Sequence, residues 1–523
     1  MLRQATARLP KPAAAMARSS LKRSAAVALS SSASPRPSST APTAAVAPAA
    51  AHDHSTLGQS KKTSLADEFH DTERIFATKT TPELVRAYGV YFMSQFRPLV
   101  QHSGELLEDV NEIRPVIRKL ETAGIGAILD FAAEADVEQP RDLNGVDQNL
   151  VSARTYAYDG EAACDANAAI SRHAIIDASE AASTGEPAFV AIKCTALGKP
   201  ELLMRMSAII VQAQLLFHTL DGPNLSRAKS RYLERMIDYP TLSAGLRNAG
   251  VDATEEEIEK LFNELDQSSG DGVIDYVDWV SFLDPFDLTM GPLTQFIEEE
   301  PLSDNEKTQL RNMIARLESL ANDAAERGVK LMVDAEQTYM QPAIDHLTLN
   351  LQRNDRIDID LERARREKFR FAAKLVRGAY MVQERKRARD KGYSDPIHDT
   401  IEDTHVNYDA QVTKLLRNNH LASFMVATHN EQSVVNTVQQ MQDIGISRAA
   451  GGVYFGQLLG MCDHVSYTLG ANAYKVFKYV PYGPIHEVLP YLIRRAQENS
   501  GLMSGAQLEM RMLSTEIKRR MFG

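Results

Sequence analysis

The chain has 523 residues, 44% of them hydrophobic and 24% charged, so it is long enough to bury a large core and to carry more than one module. Its formal net charge of −11 argues against a general nucleic-acid-binding protein, which would carry a basic excess. The three cysteines are too widely spaced for a disulfide framework or a C-x-x-C metal pair, and no apolar run is long enough to span a bilayer.

The N-terminal segment differs in composition from the rest of the chain. Residues 1–52 contain seven Lys or Arg, no Asp or Glu, and abundant Ala and Ser. This composition is typical of a mitochondrial transit peptide, and a disordered tail without a targeting role is the alternative. We expect residues 1–55 to be transit peptide and linker, and residues 56–120 to form a helical arm.

Short apolar runs then alternate with amphipathic helices, a pattern that favours a parallel sheet. The predicted strands are residues 127–131, 189–194, 330–335, 373–377, 424–428, 453–457 and 476–480. This predicts an α/β fold, a (β/α)8-type barrel within residues 121–523 that is one βα unit short. Only one helix, from about 341 to 368, fits between the third and fourth runs. Several runs end in a polar residue, and strand ends form the active-site face of such barrels.

An insert at residues 228–290 resembles an EF-hand. An amphipathic helix from Glu255 to Leu265 precedes an acidic loop with a turn glycine at Gly272. The candidate metal ligands are Asp271, Asp275 and Asp278, which makes Ca²⁺ a possible cofactor. Counting back from the glycine places Gln267 at the first ligand position, so either that ligand is lost or the loop is one residue longer than usual.

A predicted helix near the C-terminus carries two adjacent arginines and a glutamate. Arg494 and Arg495 lie four and three residues before Glu498, so one carboxylate can hold both guanidinium groups. Paired guanidinium groups match a carboxylate ligand, whereas an exposed helix face with an ordinary ion pair is the alternative.

No G-x-G-x-x-G, P-loop, G-x-S-x-G or H-E-x-x-H motif is present, which removes support for dinucleotide-fold, NTPase, serine hydrolase and zincin functions. Lys193 and Lys374 could be Schiff-base nucleophiles of an aldolase-like barrel. That hypothesis leaves the arginine pair without a role.

Five segments and the helix at 491–499 together resemble the proline dehydrogenase family, from about residue 120 to the C-terminus. The five segments are Met332–Tyr339, Lys374–Tyr380, Ala427–Asn430, Tyr454–Met461 and Tyr479–Pro484. The resemblance implies a mitochondrial flavoenzyme that uses FAD to oxidise L-proline to 1-pyrroline-5-carboxylate. It further implies a quinone acceptor, peripheral contact with the matrix side of the inner membrane, and no nucleic-acid partner.

The resemblance also implies a set of site residues. The positions matching the substrate site are Lys193, Asp334, Tyr380, Leu458, Tyr479, Tyr491, Arg494, Arg495 and Glu498. The positions matching the flavin site are Lys374, Arg377, Gly378, Thr428, His429 and Asn430.

In the family, the matching arginines and lysine bind the substrate carboxylate, two acids orient them, and apolar side chains pack the pyrrolidine ring against the flavin. Tyrosine at position 479 favours proline over hydroxyproline, because a smaller residue is expected in hydroxyproline-preferring relatives. Oxidation of hydroxyproline, the activity of those relatives, is the alternative. The helix from Gln507 to Arg520 is interpreted either as a membrane contact or as a cap on the barrel.

The chain departs from the family near residues 350–358. Relatives have an additional strand and helix there, and that strand supplies a glutamine to the flavin ring. Here Leu349–Asn354 runs almost directly into the helical pattern from Asp358. A skipped exon or a faulty gene model is the preferred explanation, and a remodelled barrel is the alternative. Since an open barrel has unpaired strand edges, a catalytically impaired, EF-hand-bearing relative is a further hypothesis.

Overall fold

The computed structural model describes thirteen stretches of the chain. They are residues 65–94, 110–131, 158–181, 188–220, 235–267, 269–282, 291–296, 300, 302–348, 356–392, 394–449, 451–483 and 503–523. The predicted transit peptide and linker, residues 1–55, lie outside the described residues.

Seven strands form one parallel sheet. They are β1 (Ile125–Phe131), β2 (Ala188–Ile192), β3 (Val329–Val333), β4 (Phe371–Leu375), β5 (Ala422–Ala427), β6 (Val453–Leu458) and β7 (Val476–Tyr482). Each coincides with one of the predicted apolar runs, so the prediction of seven alternating strands is confirmed.

The sheet curves into a nearly closed barrel. The order of its strands is β3-β2-β1-β7-β6-β5-β4, and all pairs are parallel. The longest pairing joins β1 to β7, from Ile125 opposite Val476 to Phe131 opposite Tyr482. The fold is therefore a (β/α)8-type barrel one unit short, as the sequence predicts, and β3 and β4 flank its opening.

Helices lie between the strands in the chain, and further helices precede β1 and follow β7. The helices before β3 are α1 (Leu65–Glu68), α2 (Thr72–Ile75), α3 (Thr81–Ser94), α4 (Val110–Thr122), α5 (Glu161–Ala181), α6 (Pro200–Thr219), α7 (Tyr239–Asn248), α8 (Glu255–Leu265), α9 (Tyr276–Ser281) and α10 (Asp304–Glu326). Those after β3 are α11 (Gln341–Thr348), α12 (Arg356–Glu367), α13 (Met381–Lys391), α14 (Ile401–Arg417), α15 (Glu431–Ile444), α16 (Asp463–Ala471) and α17 (Met503–Phe522). Short 3-10 turns cover Cys194–Ala196 and Gly291–Phe296.

Alternate residues of the strands belong to two separate cores. Ile128 of β1 packs with Phe189, Met425, Tyr454 and Phe477 in a cluster contributed by five strands, which identifies the barrel interior. The next residue, Leu129, belongs to the larger cluster that the helices share with the sheet. The apolar character of successive strand residues thus follows from burial of both faces.

Two helices, α11 and α12, lie between β3 and β4, where the sequence predicted one. Residues 349–355 between the two lie outside the described residues, so the single helix stays a prediction.

The insert consists of helices α7, α8 and α9. Ile237 and Ile274 form an antiparallel bridge before α7 and before α9, with N···O distances of 2.9 and 2.8 Å. A capping box between Thr254 and Glu257 starts α8. The assignment of the insert as EF-hand-like stays a prediction.

The C-terminal helix α17 packs against α3 of the N-terminal arm. Met512 and Leu513 are buried there, and Arg520 donates hydrogen bonds to the carbonyl groups of Phe76 and Lys79. These contacts pack the helix on the N-terminal arm, and its interpretation as a membrane contact or as a cap on the barrel stays a prediction. Among the described residues, we find no helix with both the length and the apolarity needed to cross a bilayer.

Candidate active site

Three side chains from different strands meet around Asp334, which directly follows β3. Lys193 follows β2, Lys374 lies in β4 and Tyr479 lies in β7. The Lys193 ammonium nitrogen is 3.6 Å from Asp334 Oδ2, and the Tyr479 hydroxyl donates to the same oxygen at 2.8 Å. The Lys374 ammonium group forms an ion pair with Asp334 Oδ1. The structure therefore brings these four predicted residues together at the carboxyl edge of the sheet.

A second acid, Asp130 of β1, completes the charge balance. Its Oδ1 is 3.6 Å from the Lys193 ammonium nitrogen, and its side chain is 2% exposed. Two lysines thus face two aspartates, which lowers the cost of burying each charge. We did not select Asp130 from the sequence, although it is a charged residue within an apolar strand and that signal was available.

The pKa of Asp334 reflects these contacts. Burial by itself would raise the pKa, but the charges of Lys374 and Lys193 outweigh it, and hydrogen bonds from Lys374 and Tyr479 add to their effect. The resulting pKa is about 2, so Asp334 is ionised throughout the physiological range. A fixed negative charge at this position orients the two cations.

Lys374 was assigned to the flavin site in the sequence. In the structure it bonds to Asp334, and its ammonium nitrogen lies 5.2 Å from the ring centroid of Tyr479. Lys374 therefore joins the group of residues predicted to bind substrate, and its role toward a flavin stays a prediction.

A second group of predicted residues lies where β4 and β5 end. Arg377 donates to Thr428 Oγ1 at 3.0 Å and to Ser433 Oγ at 3.1 Å. Its guanidinium carbon lies 4.3 Å from the ring centroid of Tyr408. Asn430 caps α15 by accepting from the Ser433 N–H at 2.9 Å. A helix N-terminus beside an arginine is suited to an anionic group.

The loops that carry the remaining predicted residues have defined geometry. Leu458 donates its backbone N–H to His429 Nε2 at 3.1 Å, which ties β6 to the end of β5. Gly378 and Tyr380 have positive φ values of 78° and 56°. Left-handed backbone is uncommon for tyrosine, so the surrounding structure imposes this turn before α13.

Tyr491, Arg494, Arg495 and Glu498 lie outside the described residues. Their assignment to the substrate carboxylate stays a prediction.

An arginine side chain contacts two of the three predicted calcium ligands. Arg366 of α12 forms an ion pair with Asp275, and its Nη1 lies 3.7 Å from Asp278 Oδ1. The one cluster of potential metal ligands within 4.8 Å of one another in the described residues is Cys462, His464 and Glu509, which includes none of the loop aspartates. The Ca²⁺ assignment gains no support.

The residues at the barrel opening fit a flavin. Gln337 follows β3 and Arg377 follows β4, the two strands that flank the opening. Both amide atoms of Gln337 and Nη1 of Arg377 are buried, and within the described part of the chain they have no hydrogen-bond partner. Buried polar atoms are seldom left unpaired in a native protein, and a flavin has donors and acceptors that could pair with them.

Comparison with known proteins identifies the family. A sequence model described as proline dehydrogenase matches residues 350–507. Proline dehydrogenase 1, mitochondrial, from Homo sapiens is 37% identical over 476 residues, covering 79% of this chain and 78% of the relative. Because the alignment is longer than the part of this chain that it covers, the relative has segments that this chain lacks.

Hydroxyproline dehydrogenase from Xenopus laevis is 42% identical over 245 residues, covering 42% of this chain and 53% of that relative. A crystal structure of proline utilization A from Bdellovibrio bacteriovorus, inactivated by N-propargylglycine, matches with 15% identity and a TM-score of 0.48. That match covers 82% of this chain and 36% of the solved chain. On the long alignment to the mitochondrial relatives, this chain belongs to the proline dehydrogenase family.

Proposed function

We propose that this protein oxidises L-proline to 1-pyrroline-5-carboxylate with FAD and passes the electrons to a quinone. The observation that supports this most is the meeting of Lys193, Asp334 and Tyr479 at the carboxyl edge of the barrel in a member of this family. Lys193 supplies a buried positive charge for the substrate carboxylate, to which Arg494 and Arg495 would add a fork of guanidinium groups.

In this proposal, the protein acts mainly by positioning. When bound, FAD supplies the acceptor for the hydride that leaves C5 of proline. Tyr479, held by Asp334, fixes one wall of the slot for the pyrrolidine ring, and Leu458 contributes apolar surface. Tyr380 and Tyr491 are assigned to the remaining walls. A dry, fitted slot accelerates such a reaction chiefly by orientation.

The proposed FAD site uses residues at the ends of β4 and β5. Arg377, Gly378 and the loop from Thr428 to Asn430 would hold the ribityl-phosphate chain, with Lys374 nearer the ring. The unpartnered Nη1 of Arg377 supports this assignment.

The proposed location is the mitochondrial matrix, with peripheral contact to the inner membrane. The acid-free, basic composition of residues 1–52 supports the mitochondrial location, as do the relatives whose names include the word mitochondrial. The insert at 228–290 is proposed to be an EF-hand-like module within the barrel domain. The antiparallel Ile237–Ile274 bridge supports that assignment, since paired loops of this kind form such a bridge.

The test uses purified full-length protein. We expect a yellow protein whose flavin absorbance bleaches when L-proline is added anaerobically and recovers when a soluble quinone is supplied. Protein that stays colourless after reconstitution with FAD, or flavin that L-proline does not bleach, would exclude this function.

Hydroxyproline oxidation is the second candidate, because relatives with that name match part of the chain. The Tyr479 hydroxyl is held by Asp334, so its ring has little freedom to make room for an additional hydroxyl. We therefore expect kcat/KM for L-proline to exceed that for trans-4-hydroxy-L-proline, and the reverse ratio would favour the second candidate.

A catalytically impaired protein is the third candidate. It is favoured by the opening between β3 and β4 and by the segments that relatives have and this chain lacks. Sequencing the transcript across codons 349–360 decides whether a longer form exists. If a longer form exists and this candidate is right, the purified longer form should retain FAD and the shorter form should not.

A further inference from the structure

A buried carboxylic acid, Glu336, lies two residues after Asp334. It is 5% exposed and none of the predicted site functions uses it. Both of its carboxyl oxygens accept hydrogen bonds from Thr195, Oε1 from the backbone N–H at 3.2 Å and Oε2 from the hydroxyl at 2.6 Å. Two hydrogen bonds to one residue fix the orientation of the carboxyl group.

These hydrogen bonds join the ends of two neighbouring strands. Thr195 lies in the 3-10 turn directly after Lys193 at the end of β2, whereas Glu336 and Asp334 share the loop after β3. The clamp between Thr195 and Glu336 therefore sets the position of Lys193 relative to Asp334.

The loop that carries Glu336 is itself held in place. The backbone N–H of Glu336 donates to Gln341 Oε1 at 2.6 Å, and Gln341 Nε2 donates to Asp345 Oδ1 at 2.8 Å. Gln341 is 6% exposed and Asp345 is 4% exposed. The clamp is thus part of a buried polar network anchored on the first turns of α11, which keeps Glu336 from moving away from β2.

We propose that Glu336 is a positioning residue of the substrate site, and that its charge state controls how tightly the site around Lys193 binds a carboxylate. This inference rests on the proposed function, because it takes the substrate to be a small carboxylate bound near Lys193. It adds a residue and a pH-dependent control that the proposed roles of the other site residues do not include.

Four titratable groups from the elements around Glu336 influence its charge or respond to it. Lys193 and Cys194 do so from the end of β2, and Asp334 and Tyr339 from its own loop. Asp345 of α11 acts on Cys194 and is joined to Glu336 through Gln341. Burial raises the pKa of Glu336 to about 7, although the Thr195 hydrogen bonds and the Lys193 charge act in the opposite direction. Burial raises the pKa of both Cys194 and Tyr339, so these two stay neutral near pH 7.

The sign of the effect follows from electrostatics. Below about pH 7 Glu336 is neutral, and the positive charge of Lys193 is available to a carboxylate ligand. Above that pH Glu336 carries a negative charge beside Lys193, which repels the ligand. By linkage, a bound carboxylate must raise the pKa of Glu336, so binding near pH 7 takes up a fraction of a proton.

The experiment measures binding of a proline analogue without a titratable amine. Oxolane-2-carboxylate, in which an ether oxygen replaces the amine, is titrated calorimetrically into the flavin-loaded protein at about pH 6 and about pH 8. We expect its Kd to rise by about fivefold between these pH values. At about pH 7, repeating the titration in buffers with different ionisation enthalpies should show proton uptake.

Matched variants assign the effect to Glu336. Glu336→Gln preserves an acceptor for the Thr195 N–H but cannot ionise, so both the pH dependence of Kd and the proton uptake should disappear. Glu326→Gln, at an exposed position before β3, should behave as wild type. Wild-type pH dependence retained in Glu336→Gln would overturn the proposal.

Thr195 provides a second route that does not depend on the folding of the Glu336 variant. Thr195→Ser retains the hydroxyl donor and should bind the analogue as wild type does, whereas Thr195→Val should raise Kd about threefold or more at about pH 6, where Glu336 is neutral in both variants. Equal affinities of the two Thr195 variants would contradict the positioning role. Wild-type protein that binds no analogue and is not bleached by proline would instead exclude the proposed function itself.

Discussion

Lys374 and Asp334 form an ion pair across the opening of the barrel. Asp334 follows β3, which pairs with β2, and Lys374 lies in β4, which pairs with β5. A side-chain contact therefore connects the two strands that end the sheet. Both side chains are largely buried, with exposed fractions of 18% for Lys374 and 13% for Asp334. The contact stabilises the seam while Asp334 also serves Lys193 and Tyr479.

Replacing Lys374 by Met should destabilise the protein by about 2 kcal/mol, because Asp334 then loses one of its two cations in a buried position. The free energy of unfolding from urea denaturation measures this change. Lys260→Met, at an exposed position of α8, serves as the control and should cost less than about 1 kcal/mol. Equal costs for the two variants would show that the seam contact contributes nothing specific.

Tyr479→Phe should lower kcat/KM for L-proline by about tenfold, because it removes a hydrogen bond to the ionised Asp334 while it preserves the ring. Tyr474→Phe is the matched control, since Tyr474 lies two residues before β7, at the opposite end of the strand, and packs on Phe455. Steady-state kinetics with both variants checks the prediction. A Tyr479→Phe enzyme with wild-type kinetics would show that this hydroxyl is not needed to position substrate.

Stability should decrease as the pH rises above neutrality, because of His464. Burial alone would lower the pKa of His464, but hydrogen bonds and charges from Glu431 and Glu509 raise it from 6.5 to about 9. A raised pKa stabilises the folded protein below pH 6.5, and that contribution is lost as the pH rises to about 9. From about pH 6 to about pH 9, we expect wild type to lose about 2 kcal/mol more unfolding free energy than His464→Gln.

Urea denaturation across this pH range provides the measurement, and His420→Gln, at an exposed position, provides the control. Parallel pH profiles for wild type and His464→Gln would contradict the assignment.

Arg366→Gln should destabilise the protein by about 3 kcal/mol. It leaves Asp275 and Asp278, which are 3% and 1% exposed, without the guanidinium group that neutralises them. Arg365→Gln is a close control, because Arg365 is 57% exposed and pairs with Glu362 on the helix surface. We expect the control to cost less than about 0.5 kcal/mol in thermal or urea unfolding. Similar losses in both variants would mean that the contact between the insert and α12 is unimportant.

The sequence predicted the strands well because each is a short apolar run and several end in a polar residue, and both features are local. Lys193, Asp334 and Tyr479 were found through their matches to family segments, and the barrel geometry brings them together. The ion pair between Lys374 and Asp334 was not predictable in this way. It depends on which strands flank the opening, and strand pairing is not a local property of the sequence.

Glu336 and His464 were missed for a related reason. In the sequence, each is an ordinary polar residue beside a recognised motif. Their significance comes from partners far along the chain, Thr195 for Glu336 and Glu509 for His464.

The pairing of β1 with β7 has a consequence for synthesis of the protein. Ile125 and Val476 are paired although most of the chain separates them, so the sheet gains this contact only after residue 482 has left the ribosome. Until then, β1 has one unpaired edge and the apolar residues of the barrel interior face water. A ribosome that stalls before β7 would release a chain with exposed strand edges, which is prone to aggregate. Chaperone dependence should therefore be greatest late in translation.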